Sequence, residues 1–466
     1  MRALCDEAVS AALAAGASYA DARAVLRRSQ SVAVKNGRVD EISDLESEGI
    51  GVRVLVRGAW GFAGDRRLDE AGARAAAGRA AAFARAAGGR GARGLAPVGA
   101  QSGVYRSTVE VDPFSVSLED KIAHCLRADT ALGHPGVIVR ESSVVARRER
   151  RWLASSDGVS VEQEVVECGG GVEALASDGR LTQNRSYGND SAQGGWEVVT
   201  GLGLAEQAPR VAEQAAALLQ APPCPAGVTT VVIDAEQMEL QVHESVGHPA
   251  ELDRVLGSEA AYAGTSFLKP HDLGSLRYGS ELMNVTADPT TPGGLGTFGW
   301  DDEGVPAAPQ PVVRGGVLVG WLGSREVGHA GSMRADGWAR MPLVRMTNLH
   351  LDPGSGSFEE LLDGVRDGVY LETNRSWSID DKRLSFQFGT QCAWQIEDGK
   401  LGRLYRDATY TGITPVFWGS LDAVAGPEEW RMSGVTNCGK GQPGQHAHVS
   451  HGASPCRFRG VQVGAA

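Results

Sequence analysis

Three prolines crowd into the five residues Ala221-Pro222-Pro223-Cys224-Pro225, and no helix can run through them. The stretch closes with Ala226-Gly227 and separates two long segments of different patterning. At 466 residues the chain is too long for one ordinary core, so the break predicts two domains, 1–222 and 223–466. Apolar residues make up 42% of the chain, enough to pack both. Its 62 glycines have no fixed period, which points to many turns and strand bends rather than a fibrous repeat.

Each segment has its own rhythm. In the first, residues 20–63 read as strand, turn, strand, then a glycine-punctuated strand, with the tight-turn pair Asn36-Gly37. Residues 137–180 repeat that order around Asp157-Gly158, and Gly169-Gly170-Gly171 precedes the later strand. Helical stretches over 3–15 and 118–132 precede the two copies. An Ala- and Arg-rich helix over 68–87 ends at Gly88-Gly89, and a further helix fits 204–220. The second segment opens on the β-branched run Val228–Ile233, and Asp234 can cap a helix over 235–248. Short apolar runs then alternate with turn residues, as in Val312–Val319, Arg383–Phe388 and Cys392–Ile396. The predicted class is α+β: an N-terminal α/β domain of helices and antiparallel strands, and a β-rich C-terminal domain with a barrel-like antiparallel sheet and a motif helix.

Charge and cysteine usage narrow the function classes. A formal net charge of −12 opposes binding to nucleic-acid phosphates. The basic run Arg147-Arg148-Glu149-Arg150-Arg151 includes an acid and reads as a solvated strand face. The seven cysteines are widely spaced with no CxxC, so a reducing compartment is expected, with most thiols acting as small buried apolar groups. Acids arrive too early for a signal peptide, and no run of about 18 apolar residues is present. A soluble, cytoplasmic chain without a membrane partner is the expectation.

The chemistry concentrates at His243-Glu244-Ser245-Val246-Gly247-His248. Imidazoles are zinc ligands, and an adjacent carboxylate can take a proton from water at the metal. The familiar zinc-peptidase helix spaces its histidines at i and i+4. Here the spacing is i and i+5, which on an ideal α-helix turns the two side chains about 140° apart. They can share a metal only across a local distortion, such as a π-type bulge, expected near Gly247.

The extended motif His243-Glu244-Ser245-Val246-Gly247-His248-Pro249-Ala250-Glu251 resembles the signature of the TldD/PmbA family of metallopeptidases. So do Gly293-Gly294-Leu295-Gly296-Thr297, Asp301-Asp302-Glu303-Gly304, Arg345-Met346-Thr347-Asn348 and Asn437-Cys438-Gly439-Lys440-Gly441-Gln442. These resemble the TldD branch, which carries HExxxH and is the catalytic one. The likeness spans almost the whole chain, and the C-terminal half carries most of its specificity. It departs in the tail, where His446, His448 and His451 offer further donors.

The resemblance implies zinc held by His243, His248 and the distant Cys438, with Glu244 as general base. On the residues alone, Cys438 sits in a glycine-rich turn beside Lys440, a setting that favours a thiolate. Glu251 and His451 are the rival third ligands, and Glu251 can instead support His248 from behind. Arg345, Asn348 and His451 are candidate substrate contacts, although Arg345 and Asn348 equally suit hydrogen bonding within a turn. Asp301, Asp302 and Glu303 read as a solvated turn rather than a second metal site. An oxyanion donor is required, with candidates around 405–415 and 446–451.

The implied activity is hydrolysis of peptide or amide bonds in unfolded peptides, modified peptides or peptide-like natural-product intermediates. An extended peptide could pair with an exposed strand. The implied assembly is a homodimer, or a heterodimer with a related subunit lacking the motif. A binding or scaffolding subunit with a structural metal is the alternative. A DNA-linked role, which the family's older association with gyrase suggests, is opposed by the acidic balance.

Overall fold

The computed structural model describes residues 1–89 and 94–464. The first half is built on one sheet of seven strands: β1 (Tyr19–Lys35), β2 (Arg38–Val56), β3 (Ala59–Asp65), β4 (Gln101–Arg106), β5 (Val137–Ser155), β6 (Val159–Ser177) and β7 (Thr182–Gln193). The order is β3-β2-β1-β5-β6, and β4 and β7 share the far edge of β6 at successive stretches. Asn36 and Gly37 both have positive φ, at 49° and 74°, and close the β1–β2 hairpin as a two-residue turn demands.

The repeat read in the sequence has a structural counterpart. A helix (Arg2–Ala14), three antiparallel strands and a helix (Glu70–Ala87) recur as Leu118–Ala131, β5-β6-β7 and Leu204–Leu218. The two copies abut through antiparallel β1 and β5. The helix Glu70–Ala87 buries Ala73, Ala76, Ala77, Ala80, Ala81 and Ala84, an i, i+3, i+4 stripe of methyl groups that lets it lie close on the sheet. Strand β6 is continuous through Gly169-Gly170-Gly171 rather than starting anew after it.

In the second half, strand Gly227–Ile233 pairs in parallel with Asp367–Ile379 and antiparallel with Cys456–Val463. Thr409–Ile413 and Ser385–Glu397 complete the circuit back to Asp367–Ile379, which makes a closed five-stranded barrel. The separate runs 383–388 and 392–396 are parts of one strand, Ser385–Glu397, and Val312–Val319 is a hairpin turned at Gly315-Gly316 rather than a single strand. A six-stranded sheet lies beside the barrel, with Gln445–Ala453 and then Arg431–Lys440 at one edge. One apolar core joins barrel and sheet, and the motif helix runs through it with Met238, Val242, Val246 and Ala250 buried. Asp234 caps that helix by accepting from the Gln237 N–H at 2.8 Å.

Two expectations about charge are corrected at the junction of the halves. Asp301, Asp302 and Glu303 are not a solvated turn: each is 2% exposed or less. They meet the sheet's cations, with Asp302 2.6 Å from Arg151 and 3.7 Å from Arg23, and Glu303 3.3 Å from Arg53. The run 147–151 is likewise only half solvated. Strand alternation turns Arg147, Glu149 and Arg151 toward the junction, where Glu149 pairs with Arg27 at 2.6 Å, and turns Arg148 and Arg150 to the other face. The sequence cannot show which face of a strand another domain covers.

Asp302→Asn leaves Arg23 in the buried junction without its ion-pair partner and Arg151 with Glu149 alone. A loss of about 3–5 kcal/mol in unfolding free energy is expected by chemical denaturation. A change below about 1 kcal/mol would mean that the pair behaves as a solvent-screened one.

Candidate metal centre

The helix that follows strand Gly227–Ile233 is α-helical from Ala235 to Val242 and then widens into a π turn over His243–Gly247. The His248 N–H donates to the His243 carbonyl, an i to i+5 bond that stacks the two histidines on one side. The expected distortion is present, but Gly247 serves it differently from expected. Its φ and ψ of −60° and −64° are helical and suit any residue. The constraint is space: a Cβ there would lie 2.0 Å from Met346 Sδ and 3.1 Å from Leu349 Cδ2.

The third donor arrives from the edge strand Arg431–Lys440. Cys438 lies within this strand, not in a flexible turn, and a register break between Val435 and Cys438 aims its thiol inward. Cys438 Sγ is 3.4 Å from His243 Nε2 and 3.7 Å from His248 Nε2, and one donor atom from each residue falls within 4.8 Å of the others. Burial pushes the Cys438 thiol up, yet the charge of a protonated His248 and the Arg345 guanidinium outweigh it and hold the thiol below its ordinary value. Lys440 is not the responsible cation. It points into a buried group of acids, 2.8 Å from Asp253 and 3.3 Å from Glu251.

The outer hydrogen bonds set the tautomer of each imidazole. His248 Nδ1 lies 3.1 Å from Glu251 Oε2, so it carries the proton and leaves Nε2 bare toward Cys438. His243 Nδ1 lies 2.6 Å from His451 Nε2, and His451 Nδ1 lies 3.2 Å from the Leu349 carbonyl, which can only accept. Burial keeps His451 neutral, so its one N–H goes to Leu349, and its Nε2 accepts from His243. His243 Nε2 is therefore also bare. With both rings neutral, two bare imidazole nitrogens and the Cys438 thiol converge, the donor set that suits zinc.

These donors open onto a cavity of about 900 Å³ between β7 and strand Arg431–Lys440. Glu244 and Arg383 line it together, 2.8 Å apart. Burial raises the Glu244 carboxyl, but the two histidines and Arg383 prevail and keep it below the ordinary carboxylate range. Glu239 and Glu236 line the same cavity, one and two turns before His243 on its helix face, and Asp190 joins them from β7. Sequence reasoning missed these three and Arg383; the i, i+3, i+7 spacing of Glu236, Glu239 and His243 is the signal that marks the helical pair.

The sequence matches the PmbA/TldA metallopeptidase C-terminal domain over residues 226–465, domain 1 over 20–84 and the central domain over 111–220. The chain belongs to the PmbA/TldD family. A metalloprotease of Methanothermobacter thermautotrophicus is 31% identical, across 96% of this chain and 95% of the relative. A zinc metalloprotease TldD homolog of Saccharolobus solfataricus is 24% identical across 51% of this chain and 52% of its own length. Two solved structures share the fold. A Thermotoga maritima protein described as a putative modulator of a DNA gyrase has a TM-score of 0.79 at 20% identity, over 99% of each chain. TldE of Thermococcus kodakarensis has a TM-score of 0.76 at 13% identity, over 99% of this chain and 100% of its own.

Three further residues of this PmbA/TldD chain have places other than those expected. Arg345 is buried and donates to the carbonyls of Cys438 and Gln445, bracing the ligand strand. Asn348 is buried and joins Asp288, Gly296 and Thr297. His451 stands behind His243. None of the three is among the residues lining the cavity, and of the two readings open for Arg345 and Asn348 these contacts accord with hydrogen bonding within the chain. The windows searched for an oxyanion donor fare no better. The Tyr410 hydroxyl is taken by Gln237 and Gln241, and His448 lies between Arg147 and Glu167 in the domain junction.

Gly247→Ala tests the packing account. Met346 is fully buried, so its side chain can make room only by shifting within a packed core, and a loss of about 1–3 kcal/mol is expected on denaturation. Adding Met346→Ala should recover part of that loss; a double variant no better than the sum of the single changes would refute steric conflict as the cause.

Proposed function

We propose that this chain is a zinc-dependent peptidase or amide hydrolase. The observation that carries the reading is the meeting of His243 Nε2, His248 Nε2 and Cys438 Sγ beside the Glu244 carboxylate, at the wall of one cavity. Metalloprotease relatives, one of them named for zinc, support it. A purely structural metal has no use for a carboxylate exposed to a substrate-sized cavity, so the scaffolding alternative accounts for less.

His243, His248 and Cys438 would hold the metal. Zinc held by three protein ligands supplies a Lewis acid that polarises the scissile carbonyl and acidifies water. Glu244 accepts a proton from the attacking water and returns it to the leaving amine. Its low pKa keeps it ionised and ready to accept. Strand Arg431–Lys440 is an edge, and its residues 431–439 line the cavity, so an extended substrate can pair with it through main-chain hydrogen bonds. Recognition of backbone suits unfolded or modified peptides and peptide-like amides. Trp377, 55% exposed on the cavity wall, offers an apolar platform for one side chain. The likeness to TldE supports assembly as a dimer, with a second copy or with a motif-less relative.

Glu244→Gln should retain zinc by elemental analysis while turnover of an unfolded peptide falls about 10²–10⁴-fold. Full turnover by that variant would overthrow the mechanism. Glu251→Gln should weaken zinc about 10–100-fold in competition with a chromophoric chelator, because His248 loses the carboxylate that fixes its tautomer. Unchanged affinity would show that Glu251 serves only the Lys440 cluster.

A further inference from the structure

Hydrolysis of an amide places negative charge on the carbonyl oxygen, and a donor fixed near that oxygen is usually the largest single source of acceleration. We propose that Arg383 is this donor and therefore a catalytic residue. The assignment rests on the peptidase reading above.

Arg383 lies in the turn between strands Asp367–Ile379 and Ser385–Glu397. Its neighbours Asp380, Asp381 and Lys382 are exposed, while its own side chain turns into the cavity and is 17% exposed. The backbone φ is 61°, a conformation where glycine is the ordinary occupant. An arginine there carries local strain that the surrounding turn must sustain. The turn is held from both flanks. Thr265 and Phe267 donate to the carbonyls of Asp381 and Lys382 at 3.0 and 2.8 Å, and the Thr414 hydroxyl donates to the Arg383 carbonyl at 2.9 Å. The guanidinium is thus delivered from a rigid support.

Its hydrogen bonding is incomplete. Among the described residues Glu244 is the one side chain that accepts from it, at 2.8 Å, and Nε is buried without an acceptor. Arg431, the other guanidinium on the cavity wall, is instead engaged with the carbonyls of Glu428 and Trp430. A general base works within about 3 Å of the water it deprotonates, so a cation bonded to that base lies within reach of the carbonyl the water attacks.

The charges then move in step. Glu244 starts ionised, with Arg383 beside it. The water O–H bond breaks, its proton passes to Glu244, and the water oxygen bonds to the carbonyl carbon as the C=O π pair moves onto oxygen. Glu244 is now neutral and its hold on Arg383 weakens as the new anion appears, so the guanidinium N–H groups turn from carboxyl to oxyanion. When the oxyanion collapses, the C–N bond breaks, Glu244 gives its proton to the amine nitrogen, and Arg383 regains its ionised partner. Arg383 stays protonated throughout.

Arg383→Lys, Arg383→Gln and Arg383→Ala, each with zinc content and circular dichroism checked, test this against an unfolded peptide. Expected is a kcat lower by about 10²–10³ for Gln and Ala with KM little changed, a deficit that persists at alkaline pH, where Glu244 is ionised with or without its partner. A phosphinic peptide, which mimics the tetrahedral oxyanion, should lose affinity in parallel with kcat/KM, whereas a product peptide should not. Guanidinium ion should partly restore Arg383→Ala. The assignment is overturned if kcat survives, if the deficit vanishes at alkaline pH, which would leave Arg383 only as the partner that ionises Glu244, or if product and mimic weaken alike. Wild-type turnover beside an inert Glu244→Gln keeps the peptidase reading intact in those cases. A wild-type chain inert both alone and with its dimer partner overturns that reading, and this assignment with it.

Discussion

One hydrogen bond sets the geometry on which the site depends: the i to i+5 bond from the His248 N–H to the His243 carbonyl. Remove it, and an α-helical continuation would throw the two imidazoles about 140° apart around the axis. The rest of the second half secures that one turn. A buried strand and the Asp234 cap fix where the helix begins, and the packing of Met346 and Leu349 against Gly247 fixes how closely it can lie. Ser245, inside the turn, takes the Gln241 and Trp418 N–H groups, so the widened backbone is braced by side chains.

The supporting residues divide the labour. Glu251 and His451 do not reach the convergence point, yet they decide which nitrogen of each imidazole is bare. The burial of Lys440 against Glu251, Asp253 and Glu259 then keeps Glu251 ionised, well below its ordinary range. A motif that looks local is thus upheld by a lysine two residues beyond the cysteine. That placement explains why the segment Asn437–Gln442 is distinctive as a unit.

Much of this was legible in the residues. The spacing of His243 and His248 was enough to require a bulge, and the hairpin turns and the Asp234 cap follow from local chemistry. Local chemistry could not show what covers an element from outside. Asp301–Glu303 and Arg147–Arg151 read as solvent-facing because each run is charged, and only the packing of the two halves brings Asp302 against Arg151. Arg345 and Asn348 were expected at the substrate for the same reason: a polar side chain in a loop gives no sign of whether it meets a ligand or a carbonyl of its own chain. Arg383 went unnoticed because it opens the run Arg383–Phe388, which reads as a strand and gives no sign of a site.

An unpaired strand edge is ordinarily a hazard, because it invites other chains to add to the sheet. Here the edge belongs to Arg431–Lys440, and its residues face a recess walled on one side by β7 of the first half. On the proposed function, that enclosure would sort what enters: a lone extended chain would fit alongside the strand, whereas a segment already paired in its own fold would not. Selectivity for conformation would then follow from the architecture, without any pocket that reads a particular side chain.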